Sequence, residues 1–329
     1  MFGCFRVITA KLEVPAEVWG LLKKQGYKRI GSHSALKPCH WFRMGMLEGR
    51  LCYKSWYGIN SRRCIQMSPM VIYCTHKCIY CWRMQSGDVR GVTWKEVPEK
   101  GLEYDDPEEI AEKSIEVQRM CVIGYKGDER VTSDRLREAL TPKHAAISLS
   151  GEPTLYPYLS GLIEAYKRRG LTTFVVTNGT LPERLENLDV EPSQLYVTLP
   201  APDKKTYVKV CRPLIPNGWE KLMKTLKLLE SFSCPTVIRI TLVKGYNLKD
   251  PEGYAKLIEM ANPTYVEPKA AMCIGYARYR ITPENMPKFN EVKVFAEKLS
   301  SLTGYEVIKE SEASRVCLLS TLKEPIKVT

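Results

Sequence analysis

Three cysteines stand close together in the run Cys74-Thr75-His76-Lys77-Cys78-Ile79-Tyr80-Cys81. Soft thiolates at this spacing select an iron–sulfur cluster or zinc. Three sulfurs cannot close a four-iron cubane, so one iron would stay open to an exogenous molecule. The zinc alternative is a knuckle completed by His76, although no second close cysteine pair follows at zinc-finger spacing. A second set, Cys39, Cys52 and Cys64, precedes the first at wide, nearly even intervals. Any one of these alone reads as core packing. Together, in an irregular glycine-containing segment, they favour a second iron–sulfur site, with His33 and His40 open to a zinc alternative. Lys54 lies two residues after Cys52. A lysine beside a metal site and aromatics can lose its proton and form a Schiff base with a carbonyl, whereas most lysines are solvated surface residues.

These groups need a frame. The chain has 329 residues, 44% of them hydrophobic, enough for one barrel-sized domain or two smaller ones. From about residue 65, strand-like and helix-like segments alternate. Strands are expected at Ile65 to Ile72, Ala145 to Ser150, Thr172 to Thr177, Gln194 to Leu199, Thr236 to Val243 and Thr264 to Lys269, each short, apolar and rich in β-branched residues. Helices are expected from the cap Asp106-Pro107-Glu108-Glu109 onward, from Leu159 to Arg169, Trp219 to Phe232 and Glu252 to Ala261. Six such units imply an α/β fold with a parallel sheet, curled by right-handed crossovers into an open, partial (βα)6 TIM-like barrel. Residues 1–64 form an irregular N-terminal extension holding the auxiliary cysteines, with one short helix beginning at Pro15. The barrel occupies 65–286, and 287–329 adds a helix and a strand or two packed on it.

In this frame the three-cysteine run follows the first strand, where barrel sites form. Ser150-Gly151-Glu152-Pro153-Thr154 follows the second, with Gly151 suited to a close backbone approach and Glu152 to an ammonium group. Thr177-Asn178-Gly179-Thr180 ends the third strand. Thr198 ends the fourth, and Arg239 and Thr241 lie on the fifth. Taken alone, Gly-Pro and Asn-Gly segments are ordinary turns.

The formal net charge is +12 and the pI about 9.0. Such a balance suits nucleic-acid binding, and equally a lysine-rich solubilising surface. Arginine and aromatic residues interleave in Trp41-Phe42-Arg43, in Tyr57 to Arg63, and in Gly275-Tyr276-Ala277-Arg278-Tyr279-Arg280, a mixture suited to unstacked bases and phosphates. No apolar run approaches a membrane span, and Met1 to Arg6 lacks a signal-peptide core. The 12 cysteines without a secretory signal point to a reducing cytoplasm. Of the scattered ones, Cys4, Cys121, Cys211, Cys234, Cys273 and Cys317 read as small hydrophobes.

The first cysteine run, with Tyr80 before its last cysteine, resembles the radical S-adenosylmethionine superfamily signature. Ser150-Gly151-Glu152 resembles that superfamily's Gly-Gly-Glu motif, with serine for the first glycine. With Cys39, Cys52, Lys54, Cys64 and the segment Val266-Glu267-Pro268-Lys269-Ala270-Ala271-Met272 added, the chain from roughly Lys37 to Arg280 is similar to the tRNA 4-demethylwyosine synthases, in their short archaeal form.

The resemblance implies a carbon–carbon lyase that builds the tricyclic wyosine base from N1-methylguanosine at position 37 of phenylalanine tRNA, with pyruvate as two-carbon donor. It implies two 4Fe-4S clusters and S-adenosylmethionine. Cys74, Cys78 and Cys81 would hold the first cluster, and Cys39, Cys52 and Cys64 the second. Tyr80, Ser150, Gly151, Glu152, Asn178, Thr198 and Arg239 would contact S-adenosylmethionine. Lys54 would serve pyruvate, held as an imine or by the second cluster. Arg62, Arg63, Lys269, Tyr276, Arg278 and Arg280 would position the anticodon loop, and a separate electron donor would supply electrons. Two alternatives from other classes stay open: a glycyl-radical-activating enzyme with an accessory cluster, and a non-catalytic zinc-stabilised RNA-binding protein.

Overall fold

The computed structural model of the chain describes residues 10–328. Cys4 and the other residues before 10 lie outside the described residues. The described chain forms one sheet of ten strands. Its centre is parallel: β3 (Cys64–Ser68), β4 (His144–Ile147), β5 (Thr172–Thr177), β6 (Gln194–Thr198), β7 (Thr236–Leu242) and β8 (Tyr265–Ala270) pair in chain order. Two antiparallel hairpins extend it. β1 (Lys28–Arg29) and β2 (Ala35–Leu36) join beside β3, and β9 (Glu306–Ser311) and β10 (Val316–Ser320) join beside β8. The two edges do not meet, so the sheet is an open, partial barrel of six βα units.

Helices cover the outer face. They are α1 (Ala16–Lys24), α2 (His40–Glu48), α3 (Pro107–Ile123), α4 (Ser133–Ala139), α5 (Leu159–Arg168), α6 (Pro182–Glu186), α7 (Lys204–Cys211), α8 (Gly218–Leu228), α9 (Pro251–Ala261) and α10 (Phe289–Leu302). Strand alternation divides the side chains. Ile65, Met67, Ala145, Ile147, Val175, Leu195, Val197, Ile238, Ile240 and Val266 face the helices in the main core. Phe174, Tyr196, Val237 and Tyr265 face the lumen, where Tyr57 and Ile59 of the N-terminal segment close it with Leu318. The parity that buries those rings also turns Arg239, Glu267 and Lys269 inward.

The expected strands and helices are present with trimmed ends. The first strand stops at Ser68 rather than Ile72, because Pro69 begins the cysteine loop. Asp106 caps α3, accepting from the backbone N–H groups of Glu108 and Glu109. Pro15 is the residue before α1 rather than its first turn. The N-terminal extension is more regular than expected: β1, β2 and α2 all lie within it. Helix α2 is capped by the Cys39 sulfur, which accepts from Phe42 N at 3.3 Å. Its apolar face, Phe42 and Met46, packs on Val122 and Ala139. At the other end of the chain, β9 and β10 continue the barrel sheet itself.

Candidate functional site

Residues 69–106 carry the first cysteine set and contain no helix or strand. Such a long irregular loop holds its shape only if buried polar groups brace it. Arg83 supplies one brace: its guanidinium donates to the carbonyls of Ile72, His76 and Met84 and pairs with Glu96 at 2.7 Å. Glu96 in turn accepts from Ser86 N at 2.7 Å. Arg280 supplies a second: its Nη1 donates to both Asp88 carboxylate oxygens at 2.7 and 2.8 Å, and its Nη2 to Cys81 O at 2.6 Å.

The loop after β4 locks against the same segment. Ser150 Oγ donates to Val71 O at 2.8 Å, and Glu152 N to Tyr73 O at 2.8 Å. Gly151 has φ +70°, and a Cβ there would lie 1.7 Å from Met70 O. The glycine therefore admits the cysteine loop rather than a ligand. Gly151→Ala incurs about 1–2 kcal/mol for the left-handed backbone alone, before the clash is counted. It is expected to lower Tm and to release iron bound by the Cys74 set. Thermal melting and iron analysis check this; wild-type values for both would refute the packing argument.

Glu152 is buried, and its Oε1 accepts from Thr154 N, Thr154 Oγ1 and Thr177 Oγ1 at 2.6 to 3.1 Å. Its Oε2 accepts only from Asn178 N, at 2.8 Å, and so keeps acceptor capacity toward the cavity. Burial pushes the carboxyl up, against hydrogen bonds that pull it down. Asn178 Nδ2 donates to Thr75 Oγ1 at 2.8 Å and lies 3.8 Å from Cys74 Sγ.

A cavity of about 390 Å³ opens over these loops at the C-terminal ends of the strands. Cys74, Cys78, Tyr80, Cys81, Ser150, Gly151, Glu152, Asn178, Thr198 and Lys269 all line it. None of the three cysteines forms a disulfide, and burial pushes Cys74 up to about 12. Cys78 is held well below the usual thiol range, chiefly by a hydrogen bond with Cys211, then by His76 and Tyr80. His76, Cys78 and Cys211 place their donor atoms within 4.8 Å of one another. Cys211, at the end of α7, had no local signal that tied it to the loop.

The second cysteine set lies at the other end of β3. Cys64 opens that strand, paired in register with His144, and Cys39 and Cys52 approach it from the N-terminal segment. Burial raises all three thiols, Cys52 to about 11, and each of Cys52 and Cys64 also feels its cysteine neighbours. Lys54 enters the lumen here. Its Nζ stands 3.7 Å from the Tyr196 ring centroid and 5.6 Å from that of Phe174. Burial lowers its pKa to about 8.

Around it runs a charged network. Arg239 pairs with Glu267 and donates to Tyr53 Oη at 2.8 Å; Tyr57 Oη donates to Glu267 Oε1 at 2.8 Å. Lys269 Nζ donates to Ser314 O and stands 5.0 Å from the Tyr53 ring centroid.

The structure places the remaining expected site residues as follows. Arg239 does not line the cavity; it is held in the network beneath, by the partner Glu267 beside it in register. Arg280 braces the cysteine loop and has its charge matched by Asp88. Arg62 and Arg63 precede β3, at the end away from the cavity, where Arg62 pairs with Glu138 at 2.6 Å and Arg63 donates to Thr141 O. Lys269 lines the cavity and donates to Ser314 O. His33 is a core histidine: Nδ1 meets Pro69 O, and Nε2 accepts from Asp105 N. Arg278 and Tyr279 remain exposed, and Met272 and Ile274 beside them line the cavity mouth.

An open parallel barrel with a three-cysteine loop after its first strand defines the class of the radical S-adenosylmethionine enzymes, and the Radical SAM superfamily model matches residues 69–258. A second model, for wyosine base formation, matches residues 260–321. A tRNA 4-demethylwyosine synthase of Pyrococcus abyssi is 49% identical over 95% of this chain and 91% of its own length. That of Methanocaldococcus jannaschii is 41% identical over 93% and 96%. The human synthase is 36% identical over 92% of this chain, which covers 40% of the human protein. Two solved structures superpose along 96% of this chain and 99% of theirs: TYW1 with a lysine–pyruvate adduct bound, at TM-score 0.85 and 39% identity, and an archaeal TYW1, at 0.76 and 36%. The chain belongs to the S-adenosyl-L-methionine-dependent tRNA 4-demethylwyosine synthase family. Membership implies a 4Fe-4S cluster and S-adenosylmethionine. No helix of the described residues is long and apolar enough to cross a membrane.

Proposed function

We propose that this chain converts N1-methylguanosine at position 37 of phenylalanine tRNA to 4-demethylwyosine, a carbon–carbon lyase type of reaction with pyruvate as donor, in the cytoplasm. Cys74, Cys78 and Cys81 are the ligands of the first cluster; their free thiols converge on one cavity and match the softness of iron–sulfur ligation. When bound there, the cluster and S-adenosylmethionine supply a carbon radical able to take hydrogen from the N1-methyl group, with the electron brought by a separate donor. Glu152 Oε2 offers the spare acceptor for the methionine ammonium, with Tyr80, Ser150, Gly151, Asn178 and Thr198 around it. Cys39, Cys52 and Cys64 form the donor set of a second 4Fe-4S cluster. By domain, 1–64 is the extension carrying that site, 65–286 the barrel, and 287–329 the closing elements.

The observation that carries the donor assignment is Lys54. Its amine lies in the lumen, against Tyr196 and within electrostatic reach of Cys52 and Cys64. A solved relative at TM-score 0.85 holds a lysine–pyruvate adduct. Lys54 Nζ attacks the pyruvate keto carbon, and the keto oxygen leaves as water to give the imine. Anaerobic incubation with S-adenosylmethionine, pyruvate, a strong reductant and phenylalanine tRNA, followed by nucleoside mass spectrometry, tests the substrate. The product is expected only from tRNA already carrying N1-methylguanosine. Equal product from unmethylated tRNA would overturn the assignment.

The RNA face is the cavity mouth formed by Met272, Ile274, Tyr276, Arg278 and Tyr279. Tyr279 is 72% exposed, and its ring centroid is 5.5 Å from that of Tyr276, a platform for unstacked bases. Arg278→Ala is expected to weaken tRNA binding and to reduce the magnitude of the log–log salt slope by about 0.7, for one lost single-strand phosphate contact. Filter binding over a salt series checks it; an unchanged slope would place the RNA elsewhere.

A further inference from the structure

At the base of the cavity, Lys54, Arg239 and Lys269 converge around the rings of Tyr53 and Tyr196, and among the described residues Glu267 is the one carboxylate hydrogen-bonded to Arg239 and Tyr53. The charges do not balance. Arg239 takes up Glu267 through both Nε and Nη2. Lys54 must be a neutral amine to attack a keto carbon. Lys269 remains, half-buried, with the uncharged carbonyl of Ser314 as its hydrogen-bond acceptor and no carboxylate ion pair among the described residues. A partly buried cation without a paired carboxylate gains from a counter-charge. It also lines the cavity, whereas Arg239 does not. Burial lowers its pKa, Arg239 adds to the effect, and the Glu267 carboxylate opposes it without restoring the usual lysine value, which is the condition an incoming anion relieves.

We propose that Lys269 is the residue that binds the carboxylate of the 2-oxo acid, orienting the keto carbon toward Lys54. The inference rests on the Lys54 reading above and deepens it. It assigns to substrate selection a lysine that sequence reading placed on tRNA. It also gives the site a chemical preference: 2-oxo acids with a free carboxylate, over neutral ketones of the same size. A thiolate of Cys52 bound to metal is the competing counter-charge, since Cys52 also bears on Lys269. In that case the carboxylate would add nothing.

The experiment is borohydride trapping on the cluster-loaded protein, with the adduct on Lys54 quantified by peptide mass spectrometry against ketone concentration. It reads imine occupancy and needs neither tRNA nor turnover. With wild-type protein, methyl pyruvate is expected to require at least about tenfold more ketone than pyruvate for half-maximal trapping, because it lacks the charge-assisted bond. Lys269→Met is expected to raise the pyruvate requirement to a similar level and leave that for methyl pyruvate unchanged. Lys269→Arg is expected to restore part of the preference. Equal half-saturation by pyruvate and its ester in wild-type protein overturns the proposal, and that comparison needs no variant to fold. Trapping of both ketones in Lys269→Met with the wild-type preference intact overturns it too. Absence of any adduct on wild-type Lys54 instead overturns the imine reading, and this inference with it.

Discussion

Replacing Cys39, Cys52 and Cys64 together with alanine is expected to remove about half of the bound iron, to leave reductive cleavage of S-adenosylmethionine detectable, and to end formation of the tricyclic base. The two sets are separated by the length of β3: Cys64 begins that strand, and the Cys74 loop follows its end. Neither set shares a sulfur with the other, and each is braced independently. Arg83, Glu96 and Arg280 hold the loop, whereas the Cys39 end is set by α2 and its packing on α3 and α4. Replacing Cys74, Cys78 and Cys81 instead is expected to abolish cleavage while the other iron remains. Iron content and 5′-deoxyadenosine release, measured on both triple variants, check the pair. Unchanged iron in the first variant would leave the protein with a single cluster.

The second large effect is at Lys54. Lys54→Arg places a permanently charged guanidinium at the Tyr196 ring and cannot form the imine. Base formation is expected to fall below detection, with iron content and uncoupled cleavage kept. Lys54→Ala should give the same loss. Product at the wild-type rate from either variant would remove Lys54 from the chemistry. Pyruvate-dependent change in the spectrum of the second cluster, with no adduct on the lysine, would favour chelation by iron instead.

Much of this frame was legible in the residues. The β-branched runs marked all six barrel strands, because a strand buried on both faces needs continuous apolar sequence. The placement of the Cys74, Cys78 and Cys81 loop and of Ser150-Gly151-Glu152 on the barrel followed from strand order. Helix α2 was not legible: its cap is a cysteine rather than a serine or aspartate, and Gly45 sits in its interior. The roles of the arginines were also hidden. Arg280 finds Asp88 192 positions away, and Arg62 finds Glu138 76 positions away. An arginine beside aromatic residues looks the same in sequence whether it awaits a phosphate or already holds a carboxylate. Alternation put Arg239 and Glu267 on inward faces, but only the register between β7 and β8 sets them side by side. The same register brings Lys269 into the lumen, where its neighbours come from the N-terminal segment and from Ser314.

The central claim is that one chamber joins a radical site at its mouth to a lysine-held 2-oxo acid at its floor. The most direct measurement is label transfer. Methylated phenylalanine tRNA is incubated anaerobically with the protein, S-adenosylmethionine, a reductant and pyruvate carrying carbon-13 at C2 and C3, and the nucleosides are weighed. The account predicts a 4-demethylwyosine heavier than the unlabelled product by two labelled carbons, and no label transfer from pyruvate labelled only at C1. Product that carries the C1 label, or no label at all, would contradict it.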